Sequence, residues 1–222
     1  MAGAGSKGKW EASSVTEKEI TDLRSAGYLA ADIKHRLPPE GQVIPTPEPG
    51  ERVVFLPHFL RGLGFPLHPF VRGLMYYYGL DFHDLAPNSL LHISAFIVMC
   101  EALLRVRPHF GLWLKVFNVK PKVVDGQHAD CGGAMVSKLP NTTWPKGAFV
   151  ETVKVKQQEW FYITEPHGAR WAATPEFRSG PPMQHALWTN KGLDWGSPDE
   201  VMMLQKRIKN MIEKNTSLTD VI

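Results

Sequence analysis

Cysteine is nearly absent: the 222-residue chain has two, Cys100 and Cys131. Two thiols cannot frame a disulfide-rich secreted scaffold. An N-terminal apolar run is missing as well. Met1 to Trp10 is rich in Gly, Ala, Ser and Lys, so no signal peptide is expected, and the sequons at Asn141 and Asn215 are expected to stay unglycosylated. The most apolar stretch, Leu90 to Leu104, is interrupted by His92, Ser94 and Glu101 and reads as too short and too polar to span a bilayer. Nor does charge of one sign dominate. Lys and Arg number 25 against 22 Asp and Glu, a formal net charge of +3. That balance does not by itself imply a nucleic-acid partner. Together these absences predict an intracellular protein that does not enter a membrane, with nucleus and cytoplasm left open.

Glycine and proline are plentiful, at 19 and 18 residues, and 43% of the chain is hydrophobic. A sizeable core is therefore expected, built from short elements separated by much irregular chain. The expected fold is α+β: a mainly helical single domain with a small antiparallel β-pair and Pro/Gly-rich connections. Residues 1–12 read as a flexible tail, 13–196 as the domain, and 197–222 as a C-terminal helix and tail.

Several elements announce themselves locally. Thr16-Glu17-Lys18-Glu19 has the form of a capping box, followed by Ile20 and Leu23 on one helical face. Pro38 to Pro49 reads as a linker or wrapped loop, and Arg52 to Leu56 as a short strand. Prolines 57, 66 and 69 forbid one continuous helix, so a short one at 57–63 and another from Pro69 to Gly79 are expected. Pro87 opens the strongest helix. Leu90, Leu91, Ile93, Phe96, Ile97, Cys100 and Leu104 make it apolar more than half-way round, so it should be central. A short helix at 109–117 follows. Residues 132–138 and 159–164 have strand composition and are expected to pair with each other. Residues 165–196 read as irregular, with Trp171, Trp188 and Trp195 pinning loops to the core. Ser197-Pro198-Asp199-Glu200 starts a last helix within two residues of Pro198.

Motifs that would carry chemistry are incomplete. Gly3 to Lys9 fills seven positions of a phosphate-binding loop, but Trp10 stands where Ser or Thr must hold magnesium, and no strand can precede it. Val123-Val124-Asp125-Gly126 lacks the Ser or Thr of an aspartic-protease start and reads as a turn. His128-Ala129-Asp130-Cys131 has ligand-like spacing without a second close pair. Asp81, Asp84 and Glu101 are read as capping or surface groups rather than a two-metal carboxylate set. No enzyme, metal or cofactor is expected.

Two binding candidates remain. Residues 105–156 hold nine Lys or Arg against three Asp or Glu. Within them Arg105, Arg107, Lys115, Lys120 and Lys122, interleaved with Trp113 and Phe117, could track the phosphates of RNA or DNA weakly and without sequence preference. Trp113 and Phe117, sharing a helical face, are assigned to the core. In the last helix Val201, Leu204, Ile208 and Met211 form an apolar stripe flanked by Lys206, Arg207, Lys209 and Lys214. It could dock on the domain or pair with another chain.

The order of certain blocks resembles a known family. They are Arg52-Val53-Val54-Phe55, Arg61-Gly62-Leu63-Gly64-Phe65-Pro66, Tyr77-Tyr78-Gly79-Leu80, Leu85-Ala86-Pro87-Asn88, Leu91 to Phe96, Cys100-Glu101-Ala102 and Pro108 to Trp113. Phe117, Gly132-Gly133 and Trp160-Phe161-Tyr162 complete the order. Together, over about residues 50–180, they are similar to the plant gypsy-type transposon domain family, which is retrotransposon-derived and also filed among transposases. The resemblance is to the Gag side of such elements. It implies a transposable-element origin and brings no catalytic residues. Relatives commonly continue into a charged, coiled-coil-like region, so this chain reads as cut down to the domain. The function expected is a non-catalytic structural or interaction module, with a transposase or nuclease as the rival and a weak nucleic-acid binder as a third reading.

Overall fold

A computed structural model describes residues 8–145, 157–164 and 194–213. Its elements, in chain order, are α1 (Glu17–Ser25), β1 (Lys34–Arg36), β2 (Arg52–Phe55), α2 (Leu56–Phe59), α3 (Pro69–Tyr78), α4 (Pro87–Val98), α5 (Phe110–Val116), β3 (Phe117–Pro121), β4 (Val123–Val124), β5 (Gln127–His128), β6 (Ala134–Lys138), β7 (Trp160–Thr164) and α6 (Pro198–Glu213). A 3-10 turn (Phe82–Asp84) precedes α4, and a wider π-type turn (Met99–Leu104) continues it.

The mainly helical expectation is overturned. Among the described residues helix makes up 40% and strand 17%, and the strands form three small sheets, so the fold is mixed α/β. The expected pair of 132–138 with 159–164 is replaced by two separate pairings. β6 runs antiparallel to β3, and β7 lies between β1 and β2. The reason lies in which faces are covered. Along β2 and β7, Val54, Phe161 and Ile163 enter the main core, while Val53, Phe55, Trp160 and Tyr162 enter a second cluster with Trp10 and Cys131. A strand buried on both faces reads as a continuous apolar run, without the alternation that would reveal its register.

Trp10 closes that second cluster. It stacks on Phe55 at 5.6 Å between ring centroids and meets Trp160 edge-on at 6.0 Å. Ser13 Oγ donates to the Trp160 carbonyl at 2.6 Å, and the Trp160 indole N–H donates to the Glu11 carbonyl at 2.9 Å. Residues 8–12, assigned to a tail by their composition, are thus packed against the sheet; residues 1–7 lie outside the described residues. Trp171 and Trp188 also lie outside them.

α4 is central, as its all-round apolarity demands. Ile93, Phe96, Cys100 and Leu104 are buried, and Leu91 and Ile97 are half-buried. Phe96 sits among Phe70, Trp113, Phe117 and Trp144, with ring centroids 5.1–6.3 Å away. Ser89 staples α4 to the β3–β6 sheet: its Oγ donates to the Ala134 carbonyl and accepts from the Val136 N–H, both at 2.9 Å. Among the described residues, 87–104 is one stretch long and apolar enough to cross a membrane. The sequence reading judged it too short and polar. Its apolarity is accounted for by core neighbours on several sides.

Other boundaries shift in physical ways. α2 stops at Phe59 because Gly62 turns the chain with φ +90°, and a Cβ there would strike Ser94 of α4. Phe117, read as the end of a helix, begins β3 instead. α3 starts at Pro69 and ends at a left-handed Gly79, and the Thr16–Glu19 capping box of α1 is formed.

Candidate functional site

The residues best equipped for chemistry are buried together beneath β2 and the 3-10 turn. Asp81 Oδ1 accepts the Phe82 N–H at 2.7 Å, and Asp84 Oδ2 accepts the Asp81 N–H at 2.8 Å, a reciprocal cap on the turn. Arg52 donates to Asp81 Oδ2 at 3.2 Å. His83 Nε2 lies 3.5 Å from Asp84 Oδ1. His58 donates from Nε2 to the Leu85 carbonyl at 3.0 Å. Asp81, Asp84, His58 and His83 are all buried. These contacts lie within the fold and fix a turn or a strand end; of the two roles read from the sequence, capping holds for Asp81 and Asp84 and a surface pair does not. Glu101 is elsewhere, at 3.0 Å from His68.

Burial lowers the His58 imidazole to about 3, the neighbouring His83 adding to the effect while the Leu85 bond opposes it. His58 is therefore neutral when folded, and protonated below about pH 6.5 when unfolded. Between those values the unfolded chain binds the extra proton, so stability rises with pH by up to about 1.4 kcal/mol per unit. This contribution is complete above pH 6.5 and is lost as pH falls toward 3. We expect urea midpoints to fall between pH 7 and pH 4.5, and His58→Gln to flatten that slope. An unchanged slope in the variant would assign the pH dependence to other groups.

Both thiols are held as thiols. Burial pushes Cys100 up to about 12, with Glu101 adding, and pushes Cys131 up to about 12, with Asp130 adding. Neither is a nucleophile near neutral pH. In the 128–131 run, His128 is exposed, Asp130 is bound to Lys9 at 2.9 Å and Cys131 is buried, so the ligand-like spacing does not gather a ligand set. Among the described residues no group of three His, Cys, Asp or Glu could hold a metal ion.

The five basic residues singled out by charge are spread over different elements. Arg105 follows the π-type turn in a left-handed conformation. Arg107 is exposed, 4.0 Å from Asp194, and lines a cavity of about 320 Å³ with His68, Glu101 and Phe110. Lys115 projects from α5 into a different cavity beside α6. Lys120 is exposed on β3 opposite Met135, and Lys122 is half-buried in the turn to β4. Trp113 and Phe117 are buried, in the core as read.

The first cavity has a His68–Glu101 pair at its rim. His68 Nδ1 accepts the Phe70 N–H at 3.1 Å, so Nε2 carries the proton given to Glu101. Among the described residues its lining has two acids, Glu101 and Asp194, and no Ser, Thr, Cys or Lys.

α6 begins at Pro198, where the expectation placed it, with Ser197 Oγ accepting the Glu200 N–H at 3.1 Å. Val201, Leu204 and Ile208 are buried and Met211 is half-buried against the core, so the apolar stripe is occupied within the chain. Gly111 of α5 makes this docking possible: a Cβ there would collide with the Trp195 carbonyl. Two cavities flank α6. One, of about 570 Å³, is lined by Lys115, Trp195, Met202 and Gln205 among others. The other, of about 320 Å³, is lined by Asn141, Thr142, Met202, Gln205, Lys206 and Lys209 among others. Lys206 and Lys209 were read only as flanks of the stripe. What the sequence could not show is that the turn after β6 and the end of α5 face them.

The fold is thus mixed α/β, and its buried Asp81 and Asp84 cap a turn. Residues 53–121, from β2 through β3, match the family model described as "Putative gypsy type transposon". Over that segment the chain is similar to the gypsy-type transposon family, as the residues implied. The match is narrower than the 50–180 expected. No curated protein and no solved structure matches the chain.

Proposed function

We propose that the chain is a non-catalytic, Gag-like structural and interaction module of transposon origin. The observation that carries this reading is the commitment of Asp81, Asp84, Arg52, His58 and His83 to each other and to backbone groups inside the core. A metal-dependent nuclease or transposase needs carboxylates facing a cleft, free to hold ions about 4 Å apart. A scaffold needs polar groups that fix turns, and these do so. Self-association through α6 would use its outward side chains, Met202 and Met203, which are exposed.

The test is strand cleavage and strand transfer by the full chain, with magnesium or manganese added, on single- and double-stranded DNA. The expected result is no turnover above that of an Asp84→Asn preparation. Metal-dependent cleavage that Asp84→Asn abolishes while remaining folded would overturn the reading.

A further inference from the structure

Two neighbouring cavities beside α6 share Met202 and Gln205 in their linings and together make up the surface termed the α6 groove. Met202, Gln205, Lys206 and Lys209 lie at i, i+3, i+4 and i+7 and make one stripe along the helix. Lys115 of α5 faces the upper part, and Asn141, Thr142 and Thr143 of the turn after β6 face the lower part. From Pro198 to Lys209 the groove runs ~16 Å along α6.

Its charge is of one sign. Lys115, Lys206 and Lys209 line it, and among the described residues neither lining includes a carboxylate. Asp199 and Glu200 sit in the first turn of α6, outside both linings. Glu213 is 3.7 Å from Lys209 in an exposed i,i+4 pair, too weak in water to neutralise it. The cavity at Arg107 differs, since Glu101 and Asp194 would repel an anion there. The α6 groove also offers apolar surface, with Met202 exposed and Trp195 half-buried. Amide side chains of Asn141 and Gln205 add donors.

We infer that this groove binds the backbone of a single-stranded nucleic acid. Three lysines along a track, amide and hydroxyl groups suited to phosphate and sugar, and apolar surface for bases are what strand binding without sequence readout requires. An acidic peptide would satisfy the lysines as well, and it is the occupant that competition by polyglutamate detects. The inference rests on the interaction-module reading and gives it a ligand class.

The experiment uses the full chain, fluorescein-labelled ten-nucleotide oligouridine and oligothymidine, and polyglutamate as competitor, between 50 and 200 mM salt. Binding of one or both oligonucleotides is expected, the two arms telling RNA from DNA. The triple variant Lys115→Gln/Lys206→Gln/Lys209→Gln should bind at least tenfold more weakly at 50 mM salt. Its slope of log affinity against log salt should be shallower by about 2, since each phosphate contact contributes about 0.7 on a single strand. Lys120→Gln/Lys122→Gln should bind like the parent chain. Thermal melts confirm that each variant is folded; a triple variant that fails to melt cooperatively is replaced by the three single variants, each expected to lower the slope by about 0.7. No binding by the parent chain, equal binding by the groove variants, or equal competition by polyglutamate would overturn the inference. Cleavage of the strand would instead overturn the non-catalytic reading and leave the groove intact.

Discussion

The double variant Leu204→Glu/Ile208→Glu is expected to melt far below the parent chain at every protein concentration. Leu204 and Ile208 are buried against the core, on the face of α6 that meets α5. Truncating either to Ala would cost about 2–5 kcal/mol, as the groups lose burial and leave a cavity. A carboxylate in the same place must also be desolvated without a partner, which raises the cost or expels the helix. Because a domain of ordinary stability holds about 5–15 kcal/mol in all, the pair is enough to detach α6 or unfold the chain. Thermal melts at several concentrations, with mass measured in parallel, separate the two uses of the stripe. A loss of stability independent of concentration follows from docking. A fall in mass with the fold retained would mean that the stripe joins two chains.

That helix was legible because its signals are local. Ser197, Pro198 and Glu200 mark its start, and the spacing of Val201, Leu204 and Ile208 marks its buried face. The same holds for α1, with its capping box, and for α3, bounded by Pro69 and Gly79. α4 was legible for a different reason: a helix apolar on nearly every side has to be surrounded. The sheets were not legible. Trp160 to Thr164 could be seen as a strand, but nothing local says that β1 and β2 take its two edges, or that β6 goes to β3. Pairing is a long-range property, and covering both faces of β7 erased the alternation that would have narrowed the choice. The tail assignment failed at Trp10, which a Gly- and Lys-rich neighbourhood disguised.

The site divides along the same line. That Asp81 and Asp84 cap a turn could be read from their spacing. That Arg52 reaches Asp81 from a strand 29 residues earlier, and that His58 and His83 share the same interior, could not. The count of basic residues in 105–156 weighed sequence neighbours, of which Arg105, Arg107, Lys115, Lys120 and Lys122 stand on different elements. The groove instead joins Lys115 to Lys206 and Lys209, some 90 residues further on, and only the docking of α6 brings them together.

The central claim is that the reactive side chains serve the fold, and the stability of Asp81→Ala tests it most directly. Asp81 is buried, caps the turn through the Phe82 N–H and neutralises Arg52 at 3.2 Å. Removing it takes from the half-buried Arg52 guanidinium one of its partners and uncaps the turn, a loss of up to about 3–5 kcal/mol, the range for a broken buried pair. A carboxylate retained for catalysis behaves in the opposite way, because functional sites are held at some expense of stability and their replacement often relieves it. Urea denaturation of parent and variant at pH 7 decides between them. The structure predicts a much lower midpoint for Asp81→Ala with an unchanged denaturant slope. A midpoint equal to or above that of the parent chain would contradict the account.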